Sequence, residues 1–303
     1  MSIRPVTSTS RARPATEGAG VHLHRAFGFG DPERMDPFLL FDDFRGDHPR
    51  DYMAGFPWHP HRGIETITYV LAGSVDHGDS LGNRGTLKGG DVQWMTAGSG
   101  ILHQEMPKGN AKGQMHGFQL WANLPGHLKM TQPRYQDVRA GDIPEIMDDD
   151  GTIVRVIVGE FWGKRGPVDG IAADPQYLDI FVPEGRKKSF ILDTRRQAFA
   201  YVFDGAGKFS DAAHPRGVLL EKEVAGQEVN IRDLSGNRTL VEFGKGDEVT
   251  VTAGPDGVRF LLISGAPLQE PVAWHGPIVM NTKAELETAM RELRNGTFIK
   301  PAH

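Results

Sequence analysis

Two pairs of side chains in the N-terminal half of the chain could bind a metal ion. His59 and His61 are separated by one residue just before the strand-like stretch IETITYVL, and His103 and Glu105 are separated by one residue further along. Side chains two positions apart in an extended chain point to the same face. Two such strands in a small barrel would bring three imidazoles and one carboxylate to one point and leave room for water or substrate. The spacing therefore predicts a metal site built from these four side chains.

The ligand types indicate which ions the site would accept. Imidazole suits Fe, Cu, Ni and Zn, and the carboxylate adds one negative charge, which favours a divalent ion over Cu(I). Glu105 has a second potential role, because a carboxylate held through one oxygen can take a proton from an acidic substrate hydroxyl. We therefore assign Glu105 both as a metal ligand and as the catalytic base.

One other carboxylate competes with Glu105. If alternation continued unbroken from His61, Glu65 would face the metal and could replace or supplement Glu105. A further H-x-H pair, His22 and His24, has no partner pair downstream and is expected to be structural or exposed.

Isolated side chains of the same half also have two interpretations. The aromatic residues could form apolar pocket walls, although aromatic residues in a β core usually serve packing. The isolated histidines are expected to be structural. These side chains are Phe56, Trp58, Trp121, His77 and His116.

The elements that must position the site are strands. Strand-like stretches separated by Gly, Asp and Asn form two series, which predicts an all-β protein of two barrels or sandwiches in tandem. The first series lies at 64–71, 91–97, 116–124 and 152–161, and the second at 177–183, 198–205, 247–254 and 257–265. Asp, Pro and Gly concentrate between the series, so we place the boundary near residue 145, with domains 1–145 and 146–303.

The two ends of the chain differ in their predicted structure. Residues 1–14 are expected to form a flexible arm. The C-terminal tail is expected to form a short helix that packs against a barrel as a brace, because it has a capping box, an apolar stripe at helical spacing and an Asn-Gly stop. These features are carried by Thr282, Glu285, Leu286, Met290, Leu293, Asn295 and Gly296.

Composition excludes several classes of function. The 303 residues include no cysteine, which excludes disulfides, thiolate-bound zinc, iron–sulfur clusters and a thiol nucleophile. The formal charge of -5 argues against direct nucleic-acid binding through phosphate contacts. No apolar run approaches the ~20 residues of a membrane span. The N-terminus lacks the apolar segment of a secretory signal, and we expect a cytoplasmic protein.

The sequence resembles the pirin family of the cupin superfamily over most of its length. The similar blocks are DPFLLFDDF at 36–44, HPHRGIETITYVL at 59–71, GDVQWMTAGSGILHQEM at 90–106 and EPVAWHGPIVMNT at 270–282. The resemblance implies a bicupin of two facing β-barrels, with one metal, usually iron, in the N-terminal barrel. The family's three histidines and one glutamate correspond here to His59, His61, His103 and Glu105, and its counterpart of Glu65 is not a ligand.

The resemblance also implies features of the second barrel and of the activity. The second barrel is expected to lack metal, since its strands carry no His pair and His214 and His275 stand alone. Several pirin-like proteins resemble quercetin 2,3-dioxygenases, oxidoreductases that open a flavonol ring with O2 and release carbon monoxide. The expected cofactor is Fe(II), with Mn, Co, Ni, Cu or Zn as alternatives, and the expected substrate is a small flavonol-like aromatic molecule.

Two other functions remain open. Eukaryotic pirins resemble redox-sensing iron proteins that bind a transcription factor or a metabolic enzyme without turnover, so a protein partner is the second hypothesis. The third is a metal-stabilised scaffold.

Overall fold

A computed structural model describes residues 1–30, 32–169, 171–210 and 234–300, together with two short strands at 223–224 and 227–228. This part of the chain is built almost entirely from antiparallel β-strands and contains one α-helix, near the C-terminus. Three single turns of 3-10 helix lie in loops, at Pro49–Asp51, Gly126–Leu128 and Ala140–Asp142. No helix among the described residues has the length and apolar character of a membrane span.

The first half of the chain forms two antiparallel sheets that face each other. One strand of this half, β1 (Val6–Arg11), joins the sheet of the second half. The other strands are β2 (Arg13–Glu17), β3 (Val21–Phe27), β4 (Phe38–Gly46), β5 (Phe56–His61), β6 (Ile64–Ala72), β7 (Ser74–Asp79), β8 (Arg84–Lys88), β9 (Val92–Thr96), β10 (Ile101–Lys108), β11 (Met115–Asn123) and β12 (Arg134–Val138). A seven-stranded sheet has the order β12-β9-β6-β11-β4-β3-β2, and a four-stranded sheet has the order β5-β10-β7-β8. We call this unit the first barrel.

The second half is organised around one large sheet. Its strands are β13 (Glu145–Met147), β14 (Ile153–Val158), β15 (Glu160–Phe161), β16 (Lys164–Arg165), β17 (Gln176–Val182), β18 (Lys187–Ile191), β19 (Gln197–Phe209), β20 (Glu223–Val224), β21 (Gln227–Glu228), β22 (Ser235–Gly236), β23 (Thr239–Phe243), β24 (Glu248–Gly265), β25 (Ala273–His275) and β26 (Ile278–Met280). Seven strands follow the order β1-β23-β19-β24-β17-β14-β13, with β18 paired to β24 and β22 paired to β19. We call this unit the second barrel.

The N-terminal segment is not a flexible arm, and this expectation was wrong. Strand β1 is an edge strand of the second barrel, where Ser10 lies opposite Leu240 on β23. Strand β2 then pairs with β3 in the first barrel, and the linking residue Ala12 is buried. The polar run of residues 6–11 folds because β23 supplies backbone hydrogen-bond partners for an extended chain. The first 17 residues therefore connect the two barrels. The predicted domain boundary near residue 145 remains a prediction.

A shared core joins the two barrels. One face of the seven-stranded sheet packs its aromatic and aliphatic side chains, including Phe41 and Phe118, against Phe199 and Tyr201 of the second barrel. Polar groups in this contact are paired, since the Tyr201 hydroxyl donates to Asp43 at 3.0 Å. The opposite face of the seven-stranded sheet is left to line the interior of the first barrel.

The predicted C-terminal helix is confirmed. Helix α1 (Lys283–Arg294) begins after Thr282, whose hydroxyl accepts from the Glu285 N–H in a capping box. Its apolar side packs on the β25–β26 hairpin. The C-terminal segment returns to the first barrel, because Glu292 pairs with buried Arg62 at 2.8 Å. It therefore braces the barrel that carries the predicted site.

Candidate metal centre

Neighbouring strands carry the predicted ligands. Strand β5 ends in His59 and His61, and β10 carries His103 and Glu105. The two strands pair antiparallel, and His103 lies directly opposite His59. A register shift follows His103, so that Glu105 lies opposite Phe56. Alternation along each strand and pairing between them place all three imidazoles on one face.

The three histidines form one compact group. Their ring centroids are separated by 4.3 Å for His59 and His103 and by 4.9 Å for each of the other two pairs. One nitrogen from each ring lies within 4.8 Å of the others. His59 donates from Nδ1 to the Pro57 carbonyl at 2.8 Å, which leaves the lone pair on Nε2. That Nε2 atom is 3.1 Å from Nε2 of His61.

Burial keeps these imidazoles neutral and therefore able to bind a metal. His61 and His103 are only 2% and 1% exposed. Burial lowers the pKa of His59, and it lowers the pKa of His61 and His103 well below the usual value. Neither ring nitrogen of His103 has a hydrogen-bond partner within the described part of the chain. Because buried polar atoms are normally paired, this group could hold a divalent transition metal.

Glu105 lies beside the histidine group. Its Oε2 atom is 3.9 Å from Nε2 of His103, and its Oε1 atom accepts a hydrogen bond from the Thr68 hydroxyl at 3.1 Å. Burial raises the pKa of Glu105 to about 7. A group with this pKa exchanges a proton near neutral pH. Its roles as metal ligand and as base remain predictions.

Two side chains that the sequence analysis missed orient this carboxylate. The Thr68 hydroxyl lies 3.1 Å from Glu105 Oε1 and 2.7 Å from the side-chain oxygen of Gln119. A hydroxyl has one hydrogen, so it donates to Glu105 when the Gln119 amide is turned to donate to Thr68. The sequence signal that could have identified Thr68 is the alternation of Thr66 and Thr68 with Ile67 in the buried strand β6, which places both threonines on one face.

The structure decides against Glu65 as a member of the group. Gly63 has a positive φ of 76° at the turn between β5 and β6, and this turn interrupts the alternation from His61. Glu65 consequently lies on the opposite face of β6 from Thr68, and it accepts from the Thr96 hydroxyl at 2.7 Å. Burial raises its pKa to about 7 as well.

The other H-x-H pair and His275 are not part of the group. His22 is exposed, and His24 contacts Arg238 at 3.1 Å, as expected for structural or exposed residues. His275 lies in β25, on the C-terminal hairpin. His214 is outside the described residues.

A cavity of about 450 Å³ adjoins the histidine group. Phe56, Trp58 and Trp121, considered as pocket walls from the sequence, do line it. Trp121 also packs edge-on against His61 at 5.1 Å. Much of the remaining apolar wall comes from strands distant in sequence, through Leu23, Phe29, Leu40, Phe44 and Val75.

A polar row crosses one wall of this cavity. Arg25 lies opposite Asp42, Asp42 opposite Gln119, and Gln119 opposite Thr68 on four adjacent strands. Arg25 donates two hydrogen bonds to Asp42, both at 2.8 Å. Burial still raises the pKa of Asp42 to about 6. The row connects a buried ion pair to the residues that hold Glu105.

Comparison with known proteins assigns the family. The pirin family model matches residues 20–122, and the model of the pirin C-terminal cupin domain matches residues 177–299. The chain belongs to the pirin family. The expected fold of two tandem cupin barrels with a short C-terminal helix is confirmed by these matches together with the strand topology.

Individual relatives of this pirin-family chain cover nearly its whole length. A pirin-like protein of Caulobacter vibrioides is 41% identical over 299 residues, which cover 98% of this chain and 100% of the relative. Human pirin is 39% identical over 296 residues, covering 97% and 93%. The crystal structure of quercetin 2,3-dioxygenase from Acinetobacter baumannii matches with a TM-score of 0.84 and 31% identity, covering 98% of both chains.

Proposed function

We propose that this pirin-family protein is a metal-dependent dioxygenase of the quercetin 2,3-dioxygenase type, which opens a flavonol ring with O2 and releases carbon monoxide. The observation that carries the proposal is the group of three neutral histidines and one buried carboxylate at a largely apolar cavity of about 450 Å³. This volume lies within the roughly 300–1,000 Å³ typical of small-molecule sites. The similarity to the Acinetobacter baumannii enzyme supports the choice of substrate class.

The donor set fits one divalent metal held by His59, His61, His103 and Glu105. His103 offers buried nitrogens without a hydrogen-bond partner in the described part of the chain, and the His59–Pro57 hydrogen bond fixes the tautomer that binds a cation. We propose that the bound metal is Fe(II), and Mn, Co, Ni, Cu and Zn are the alternatives to be compared with it. When bound, the ion would supply Lewis acidity and the electron-transfer chemistry needed with O2.

Glu105 would accept the proton of the flavonol 3-hydroxyl. With a pKa of about 7, it is a base matched to neutral pH. Thr68 contacts Oε1, so Oε2 is the oxygen nearer to the histidines, 3.9 Å from His103 Nε2. Gln119 would direct the Thr68 hydrogen toward Glu105 only with its amide nitrogen turned to Thr68, because its side-chain oxygen lies 2.7 Å from the hydroxyl.

The cavity walls would position the substrate and exclude water. Trp121 packs against His61, and Phe29 packs against Trp121 at 6.4 Å between centroids, so flat apolar surfaces lie next to the histidine group. Arg25 and Asp42 offer a donor and an acceptor for hydroxyl groups of a polyphenol. A planar, hydroxylated aromatic molecule matches both features.

The test is anaerobic reconstitution with each of the six metals, followed by quercetin loss and carbon monoxide release under O2. We expect carbon monoxide release that depends on the metal and disappears in His59→Ala and in Glu105→Gln. Glu65→Gln is the matched control, because Glu65 is a buried carboxylate with a similarly raised pKa on the other face of β6. Stoichiometric metal binding without carbon monoxide release for any metal would overturn the proposal and favour redox-dependent capture of a protein partner.

A further inference from the structure

A second cleft lies where the chain crosses from one barrel to the other. It has a volume of about 630 Å³ and is lined by β1, β2, β3 and the segment leading into β4. Its polar lining consists of Ser8, Ser10, Arg11, Arg13, Arg25 and Arg34. No acidic side chain lines it among the residues that the structure describes. We propose that this cleft binds the phosphate group of a small phosphorylated molecule.

The cleft carries two positive charges without a partner. Arg25 is neutralised by Asp42 and Glu17. Arg34 is paired with Glu242. By contrast, Arg11 and Arg13 are exposed and form no ion pair with any residue in the described ranges. Two uncompensated cations in one cleft favour a dianion there.

The backbone holds these two arginines together. Arg11 is the last residue of β1, Arg13 is the first residue of β2, and the buried Ala12 lies between them. Residues two apart in an extended chain point to the same side, and both side chains line the cleft. The link between β1 and β2, where the chain passes from one barrel to the other, therefore holds the guanidinium groups of Arg11 and Arg13 next to each other.

Arg13 lies beside an arginine that is already paired. It is directly opposite Arg25 in the β2–β3 pair, and Arg25 is held by Asp42 and Glu17. The guanidinium of Arg13 therefore keeps its donors for a ligand. Guanidinium groups bind phosphate oxygens through paired, charge-assisted hydrogen bonds.

The remaining lining selects for a phosphate monoester. The Ser8 and Ser10 hydroxyls make no hydrogen bond within the described part of the chain, so they are free to donate to phosphate oxygens. Phe27, Met35 and Leu39 add apolar surface next to the arginines. An organic group attached to the phosphate would pack there. The ligand class is thus a phosphate monoester with an apolar substituent.

Calorimetric titration of the full-length protein tests the site with three probes: inorganic phosphate, phenyl phosphate and malonate. We expect phenyl phosphate to bind more tightly than inorganic phosphate, and malonate to bind more weakly than both. Arg11→Gln and Arg13→Gln should each weaken phenyl phosphate binding about tenfold, since a hydrogen bond to a charged group contributes on the order of 1.4 kcal/mol or more. Equal affinity for malonate would overturn the phosphate assignment.

The matched control is Arg84→Gln, which removes an exposed arginine of β8 that has no ion pair in the described chain and lies outside the cleft. Its affinity for phenyl phosphate should equal that of the wild type. If Arg84→Gln weakens binding as much as Arg13→Gln does, the anion is held by overall charge and the site is refuted.

Thermal unfolding gives a second readout that a merely structural role would not reproduce. Without phosphate, Arg13→Gln should leave Tm unchanged, because Arg13 is exposed and has no ion pair within the described ranges. With phenyl phosphate, Tm should rise in the wild type and rise less in the variant. A lower Tm of Arg13→Gln without anion, or an equal rise in both proteins with phenyl phosphate, would contradict the proposed site.

Discussion

The interiors of the two barrels are filled in different ways. In the first barrel, the inner face of the seven-stranded sheet presents Asp42, Gln119 and Thr68 to a cavity that ends at the histidine group. In the second barrel, the corresponding space holds a continuous apolar core that includes Phe190, Phe260 and neighbouring Val, Leu and Ile side chains. The first barrel thus encloses a cavity beside the histidine group, and the second barrel is filled by packed apolar side chains.

The difference shows how the chain divides stability and function between its halves. Buried carboxylates and imidazole nitrogens without hydrogen-bond partners in the described chain lower the stability of the first barrel. The first barrel is supported from outside by the shared core with the second barrel and by the C-terminal helix. A site of this kind needs rigid surroundings to hold its geometry.

Removal of one histidine should have the largest effect. His103→Ala deletes a proposed ligand that is buried, so metal binding and carbon monoxide release should fall by at least about 100-fold, which exceeds the loss typical of residues that only support a ligand. Metal content after dialysis and carbon monoxide release measure the two losses. His22→Ala, in the exposed H-x-H pair, should retain both. Retention of one bound metal per chain by His103→Ala would contradict the assignment of the site to the first barrel.

Loss of a large core side chain in the second barrel should change stability rather than metal binding. Phe260→Ala should lower the free energy of unfolding by about 3–5 kcal/mol, because it leaves a cavity among packed aromatic rings. Chemical denaturation measures the change. Ile191→Ala, at an exposed position on β18, should change it by less than about 0.5 kcal/mol. A similar small loss in both variants would show that the second barrel is not the packed unit.

Metal affinity should depend on pH through Glu105. In the metal-free protein its pKa of about 7 lies above that of the unfolded chain, roughly 4.3, so its contribution to stability is complete below about pH 4.3 and lost as the pH rises through 7. A metal ligand must be ionised, so binding below pH 7 releases this proton and affinity should fall about tenfold per pH unit.

Calorimetry in buffers of different ionisation enthalpy measures this release. The wild type should release about one proton at pH 6, from Glu105, because burial raises the pKa of this carboxyl to about 7 and lowers the pKa of the three histidines. Glu105→Gln should release none, whereas Glu65→Gln should behave as the wild type. Unchanged proton release in Glu105→Gln would exclude the carboxylate as a ligand.

The smallest effect should follow loss of one hydroxyl group. Thr68→Val keeps the shape of the side chain but removes the hydrogen bond to Glu105, so kcat should fall about tenfold with little change in Tm. Thr68→Ser should restore most of the activity. Thr250→Val removes a buried hydroxyl of the second barrel that contacts Ser189 and should leave kcat unchanged. Equal activity of Thr68→Val and wild type would mean that Glu105 needs no orienting group.

The sequence by itself determined the features that depend on local spacing. The H-x-H and H-x-E pairs lie on strands and the capping box of α1 is confirmed, because the periods of strands and helices are properties of the backbone. The pairing of β5 with β10 then brings the three histidines together. The two series of strands were predicted only in part. The stretch 152–161 belongs to the second barrel through β14, and the stretches 247–254 and 257–265 form the single strand β24.

Only the tertiary structure decided what lies around those elements. The face of Glu65 depended on the turn at Gly63, and the partner of β1 lay more than 200 residues away on β23. The walls of the cavity and the arginine cleft came from strands whose register is set by packing between distant segments. Local periods fix which way a side chain points along its own strand, but long-range packing selects the strands that it meets.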